Sequence, residues 1–190
     1  QEYSMTHVAI EPTADEIKAL LARPGVQIAY ELFTLGEIVS ARRQWSWTTR
    51  GMTSRELQVA AVIARQWGWH DRAIFTVARS NHLDDLELRF PILYRRAIEA
   101  NAEQNSIDPG WMYGVLRQES AFMADARSSA GALGLMQLMP QTGRQTARRI
   151  NLAIDGNNTI LKIENNLRLG ASYLKQVLDI YNGHAVLATA

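Results

Sequence analysis

Apolar residues recur at three- and four-residue spacing along almost the whole chain, and polar breaks cut this pattern into helix-sized pieces. Thr13 precedes ADEIKALLA as an N-cap with acids in the first turn, and Pro24-Gly25 stops that segment. From Val26 to about Trp47, the positions Ile28, Leu32, Leu35, Ile38 and Val39 predict one helix, ended by Gly51. Thr53-x-x-Glu56 reads as a capping box opening RELQVAAVIARQW. Gly68 closes that helix, and another runs from His70 to about Ser80. Short helices with brief breaks predict helical hairpins stacked in series, although the sequence shows no clean repeat period.

Further on, Pro91 is placed in the first turn of a helix continuing to about Gln104, with a break at Asn105-Ser106. Asp108-Pro109 supplies an N-cap and an N1 proline for GWMYGVLRQES, and Pro140 opens QTGRQTARRI. Asp155-Gly156-Asn157-Asn158 reads as a loop. From Ile163 to Tyr181, Leu167, Gly170, Ala171, Leu174 and Leu178 mark a helix with a small-residue face. Strand signals are nearly absent. Only 122–138, rich in glycine and serine, has room for a short hairpin, so the expected fold class is mainly α.

Composition narrows the function classes. Of 190 residues, 47% are hydrophobic and 21% charged, enough apolar material for a packed core. Lys+Arg at 20 against Asp+Glu at 19 gives +1, which argues against binding nucleic acid through bulk charge. Without cysteine there is no disulfide framework and no thiolate site. His7, His70, His82 and His184 lack metal-ligand spacing, so neither metal nor organic cofactor is expected. No apolar run approaches the ~18 residues of a membrane span. The chain starts at Gln1 with no leader pattern, as expected for a processed or trimmed piece. The arginine pairs 42–43, 95–96 and 148–149 read as solvated helix faces. Trp45, Trp47, Trp67 and Trp69 read as hairpin core rather than as sugar-stacking platforms.

The stretch RQESAFMADARSSAGALGLMQLMP at 117–140 is where chemistry is expected. On a helix over 109–120, Met112, Val115, Leu116 and Glu119 fall at i, i+3, i+4 and i+7, on one face. Glu119 then ends an apolar stripe, and taking a carboxylate out of water favours its protonated form, which can donate to a leaving group. Ser128, Ser129, Gly131 and Gly134 let backbone approach a ligand closely. Gln137 offers a donor and an acceptor, and Met136 and Met139 offer adaptable apolar surface. On the residues alone a second reading stands beside this one: a helix-end Glu paired to an arginine, followed by a hairpin with core methionines.

The residues E-S-x-F at 119–122, S-x-x-G-A-x-G-L-M-Q-L-M-P at 128–140 and NLRLGASYL at 166–174 together resemble the catalytic core of soluble lytic murein transglycosylases. WGWHDRAIFTVARSNHLDDLELRFP at 67–91 resembles the linker helices that precede that core. The resemblance implies a lysozyme-like helical catalytic domain at 88–190, preceded at 1–87 by the tail of a helical superhelix. It implies an exported, periplasmic enzyme acting on peptidoglycan glycan strands. Such an enzyme cleaves the β-1,4 bond between N-acetylmuramic acid and N-acetylglucosamine and leaves 1,6-anhydromuramic ends. By position Glu119 is then the sole catalytic acid and base, and Ser120, Ser128, Gln137 and Met139 contact substrate. One acid suffices where the substrate's own acetamide stabilises the oxocarbenium ion, whereas ordinary glycosidases need two. In the family the helix at 184–190 leads into an A-Y-N-A-G motif, so a chain ending at Ala190 is expected to hold an incomplete, poorly active catalytic domain. Two rival readings are a goose-type-lysozyme-like hydrolase of the same bond and a non-catalytic peptidoglycan-binding helical module.

Overall fold

The computed structural model describes residues 7–189, among which twelve helices and two isolated β-bridges carry the fold. Two compact units divide at Pro91 and Ile92.

In the first unit the helices are α1 (Ala14–Leu21), α2 (Pro24–Thr34), α3 (Ile38–Thr48), α4 (Ser54–Gln66), α5 (His70–Ala78) and α6 (Leu86–Arg89). Helix α2 packs on α3 and α4 on α5, as hairpins. Helix α4 buries Leu57 and every residue from Val59 to Ala64, so it is enclosed on nearly all sides. Its alanines leave room for α1, α5 and α6 to approach. The single helix expected over Val26–Trp47 is two. Gly36 adopts φ 77°, a left-handed conformation that ends α2 and turns the chain into α3.

The expected N-cap at Thr13 and capping box at Thr53 are both present, and both are full capping boxes: Thr13 Oγ1 accepts from Glu16 N–H and Thr53 Oγ1 from Glu56 N–H, with each glutamate reaching back. The Arg55 guanidinium beside Glu16, and then the Thr13 N–H, hold the Glu16 carboxyl down at about 2. A depressed carboxylate contributes stability above its unfolded value near 4.5 and loses that contribution as pH falls through about 2. NMR titration of Glu16 is therefore expected to show a midpoint near 2, and Arg55→Ala to return it toward 4.5. A midpoint unmoved by Arg55→Ala would rule out this cause.

Trp45 and Trp69 lie in the core, as expected, and Trp67 packs partly buried against it. The indole N–H of Trp45 donates to Thr76 Oγ1 at 2.9 Å, which satisfies a buried donor. Phe33 stacks on Trp69 with centroids 4.6 Å apart. Trp47 breaks the expectation: it is 70% exposed. It lies on α3 two residues from Trp45, and on a 3.6-residue helix that spacing points the two rings apart.

In the second unit the helices are α7 (Arg95–Asn105), α8 (Pro109–Ser120), α9 (Pro140–Arg149), α10 (Asn157–Leu161), α11 (Ile163–Ile180) and α12 (Ala185–Thr189). Pro91 does not start α7. Leu93 C=O accepts the Tyr113 hydroxyl at 3.0 Å, and Tyr94 has φ 52°, so the chain turns there before the helix begins at Arg95. The loop expected at 155–158 is shorter, because α10 begins at Asn157. Asp108 caps α8 by accepting from Trp111 N–H at 2.9 Å, with Pro109 at N1, as expected. Helix α11 is the spine of the unit, packing against α7, α9, α10 and α12.

Candidate active site

Helix α8 and the loop after it build the site. The buried stripe of α8 is Met112, Leu116 and Ser120, at i, i+4 and i+8. Glu119 falls beside that stripe rather than on it, and the expectation of a buried carboxyl is corrected: Glu119 is exposed. Its neighbours along this flank, Trp111, Gly114, Val115 and Gln118, repeat at helical spacing and line a cavity of about 580 Å³ together with it. A cavity of that size suits a small ligand or part of a polymer.

Helix α8 ends abruptly because Ala121 and Phe122 both take left-handed conformations, with φ 48° and 65°. Two successive non-glycine residues there store strain. The surrounding packing holds them: both are buried, and Phe122 meets Tyr113 with centroids 6.4 Å apart. Ser120 locks the same junction, its hydroxyl bridging Leu116 C=O at 3.2 Å and Leu135 C=O at 2.7 Å. The E-S-x-F run thus places Glu119 in the last turn of a helix tied to the following loop.

That loop holds two β-bridges, Arg127 with Leu133 and Leu133 with Leu138, in place of regular strands. Leu133 and Leu138 exchange N–H···O=C bonds of 2.9 and 3.0 Å. Ser128 Oγ accepts from Ala132 N–H at 3.0 Å, closing the turn at its exposed end. Gln137, at φ 44°, donates from Nε2 to Gly134 C=O at 2.8 Å.

Asn166 of α11 pins this loop from beneath. Fully buried, it accepts Met136 N–H on Oδ1 at 2.8 Å and donates from Nδ2 to Leu133 and Ile160 C=O at 3.0 and 3.1 Å. Gly134, at φ 72°, lies so close that a Cβ there would stand 2.5 Å from Asn166 Nδ2. One turn along α11, a Cβ on Gly170 would stand 2.9 Å from Met136 Cβ and 2.1 Å from its sulfur. The small face expected on this helix is therefore the floor on which Met136 rests.

Of the five residues singled out from sequence, Glu119, Gln137 and Met139 meet at the cavity, with Met139 43% exposed. Ser120 is buried with its hydroxyl engaged, and Ser128 caps the turn; neither lines the cavity. Sequence reasoning passed over Trp111, Gln118, Thr142 and Tyr173, which do line it. Helical spacing back from Glu119 was the available signal for the first two. Among the described residues Glu119 is the only carboxylate in the lining. Among the described residues no group of three or more His, Asp or Glu could hold a metal ion. No helix among them is long and apolar enough to cross a membrane.

Comparison with known proteins agrees with the motif reading. Residues 96–190 match the transglycosylase SLT domain, and residues 19–86 match the soluble lytic murein transglycosylase L domain. The soluble lytic murein transglycosylase of Salmonella typhimurium is 28% identical over 152 residues, covering 80% of this chain and 24% of that protein. A putative soluble lytic murein transglycosylase of Haemophilus influenzae is 28% identical over all 190 residues, which cover 32% of it. The chain thus spans about a quarter to a third of these relatives. The crystal structure of the lytic transglycosylase Slt from Pseudomonas aeruginosa, an inactive mutant with glutamine in place of a glutamate, superposes with a TM-score of 0.95. It is 34% identical, and the match covers 98% of this chain and 30% of that one.

Proposed function

We propose, from the premise that this chain belongs to the soluble lytic murein transglycosylase family, that it cleaves peptidoglycan glycan strands with Glu119 as sole acid and base. The observation that carries this reading is the single carboxylate in the cavity, at the strained end of a helix and opposite Gln137 and Met139. Inactivity of the Pseudomonas relative carrying a Glu→Gln change supports a glutamate-dependent reaction. We assign residues 88–190 to the catalytic domain and 1–87 to a helical linker. The family matches and the two compact units support that division to within a few residues. The periplasm is the compartment where the substrate lies.

In this mechanism Glu119 first protonates the glycosidic oxygen, and the C1–O4 bond breaks. Positive charge developing at C1 is stabilised by the substrate's acetamide, so no second carboxylate is required. The muramic 6-hydroxyl then attacks C1 and returns its proton to Glu119, leaving the 1,6-anhydro ring. Because that hydroxyl is tethered to the reacting sugar, it competes with water by proximity. A sugar filling the cavity displaces the solvent that now reaches Glu119, which favours the internal attack. Gln137 and Met139 are assigned contacts with the sugars. Ser120 and Ser128 act through the loop, since their hydroxyls are engaged with backbone.

Mass spectrometry of muropeptides released from purified sacculi tests the assignment. Anhydro ends, lighter by one water than reducing ends, are the expected product. Reducing ends alone would instead identify a hydrolase.

A further inference from the structure

The exposed face of α3 carries chemistry that the cleavage reaction does not use. Trp47 is 70% exposed, unusual for the largest apolar side chain. Arg43 stands one turn before it on the same helix face, and Arg50 lies in the turn that follows the end of α3 at Thr48. The Arg50 guanidinium lies 5.3 Å from the centroid of the Trp47 ring, a cation–π contact that holds indole and cation as one unit. Neither Arg43 nor Arg50 forms an ion pair among the described residues. By contrast Arg23, Arg42, Arg55, Arg65 and Arg72 of the same unit each pair with an acid. Arg43 on α3 and Arg50 in the turn after it therefore flank the most exposed tryptophan of this unit.

An indole with one guanidinium resting against its ring and a second one helical turn away matches a ligand with apolar sugar faces and carboxylates close together. A flat aromatic ring receives the C–H face of a pyranose, while an arginine fork receives a carboxylate. A peptidoglycan strand presents both at short intervals, since its sugars carry peptide stems bearing free carboxylates. We propose that the surface formed by Arg43 and Trp47 of α3 with Arg50 of the following turn is an accessory binding surface for peptidoglycan, taking a sugar on the open side of the indole and stem carboxylates on the two arginines. The choice of ligand rests on the cleavage reading above; the aromatic-cationic character of the face does not.

Cosedimentation of the chain with purified sacculi tests it, using Glu119→Gln throughout so that binding is read without turnover. Trp47→Ala is expected to weaken binding about tenfold, and Arg43→Gln with Arg50→Gln to weaken it similarly and flatten its salt dependence. Amidating the stem carboxylates is expected to reproduce the effect of the arginine changes. Thermal melts check that each variant is folded, and Trp47→Phe, which keeps an aromatic ring, is expected to recover most of the loss. Binding within twofold of the parent for either the Trp47 or the double arginine variant would overturn the proposal. So would equal binding to anionic lipid vesicles, which would show charge attraction alone. Because turnover is measured separately on the unaltered protein, failure of the cleavage reading and failure of this one are told apart.

Discussion

Glu119→Gln is expected to lower muropeptide release from sacculi by about a thousandfold, within the range that a positioned proton donor contributes. Glutamine keeps the size of the side chain and its capacity for hydrogen bonds, but it has no proton to give the leaving oxygen and cannot take one from the 6-hydroxyl. In the proposed mechanism both halves of the reaction use the same carboxyl, and no other carboxylate among the described residues lines the cavity to substitute for it. The side chain is exposed and stands outside the buried stripe of α8, so the melting temperature is expected to hold within a degree or two. Loss of activity with unchanged melting separates a chemical role from a structural one. Turnover retained to within tenfold would sink the assignment of Glu119.

Asn166→Ala is expected to be the most damaging substitution to the fold of the second unit. The amide meets three backbone groups at once; its removal orphans the Met136 N–H and the Ile160 carbonyl, while the Leu133 carbonyl keeps the Leu138 N–H. At ~1–3 kcal/mol for each orphaned group, and with some relaxation, the loss is about 4 kcal/mol. For a unit of this size that corresponds to a melting temperature lower by roughly 15 °C or more. Asn166→Asp is expected to fare little better, because a carboxylate accepts from Met136 N–H but cannot donate to either carbonyl. Urea unfolding of both variants checks this, and a loss below about 1 kcal/mol for the alanine variant would show that the clamp is not what holds the loop. Glu119 lines the cavity together with Met136, Gln137 and Met139, so partial loosening is also expected to lower activity before the protein unfolds.

These two residues divide the ways in which the site was legible. Glu119 stands out in sequence because a carboxyl at the end of an apolar helix face needs a reason. The motif around it supplied the family, which the comparisons establish. Its local environment was less legible. Spacing of i, i+3, i+4 and i+7 describes a face about 100° wide, and Glu119 falls at its margin, where a small rotation decides between core and solvent. The motif resemblance implied that Ser120 and Ser128 contact substrate. The fold spends both on backbone carbonyl and amide groups that would otherwise go unpaired. Asn166 was visible only as the first letter of a motif, since its three partners lie on loop and helix segments 6 to 33 residues away.

Periodicity and punctuation alone determined the helical class, the N-cap at Thr13, the capping box at Thr53 and the starts of α8 and α9 at Asp108-Pro109 and Pro140, whereas the motif resemblance marked 117–140 as the candidate catalytic stretch. These depend on interactions within a few residues, which the order of side chains specifies directly. Tertiary structure decided the break at Gly36, the exposure of Glu119 and Trp47, and the employment of Ser120 and Asn166 as ties beneath the cavity. Each of those turns on what an element far along the chain leaves covered or unpaired, and burial and hydrogen-bond satisfaction are properties of the packed molecule rather than of any local run.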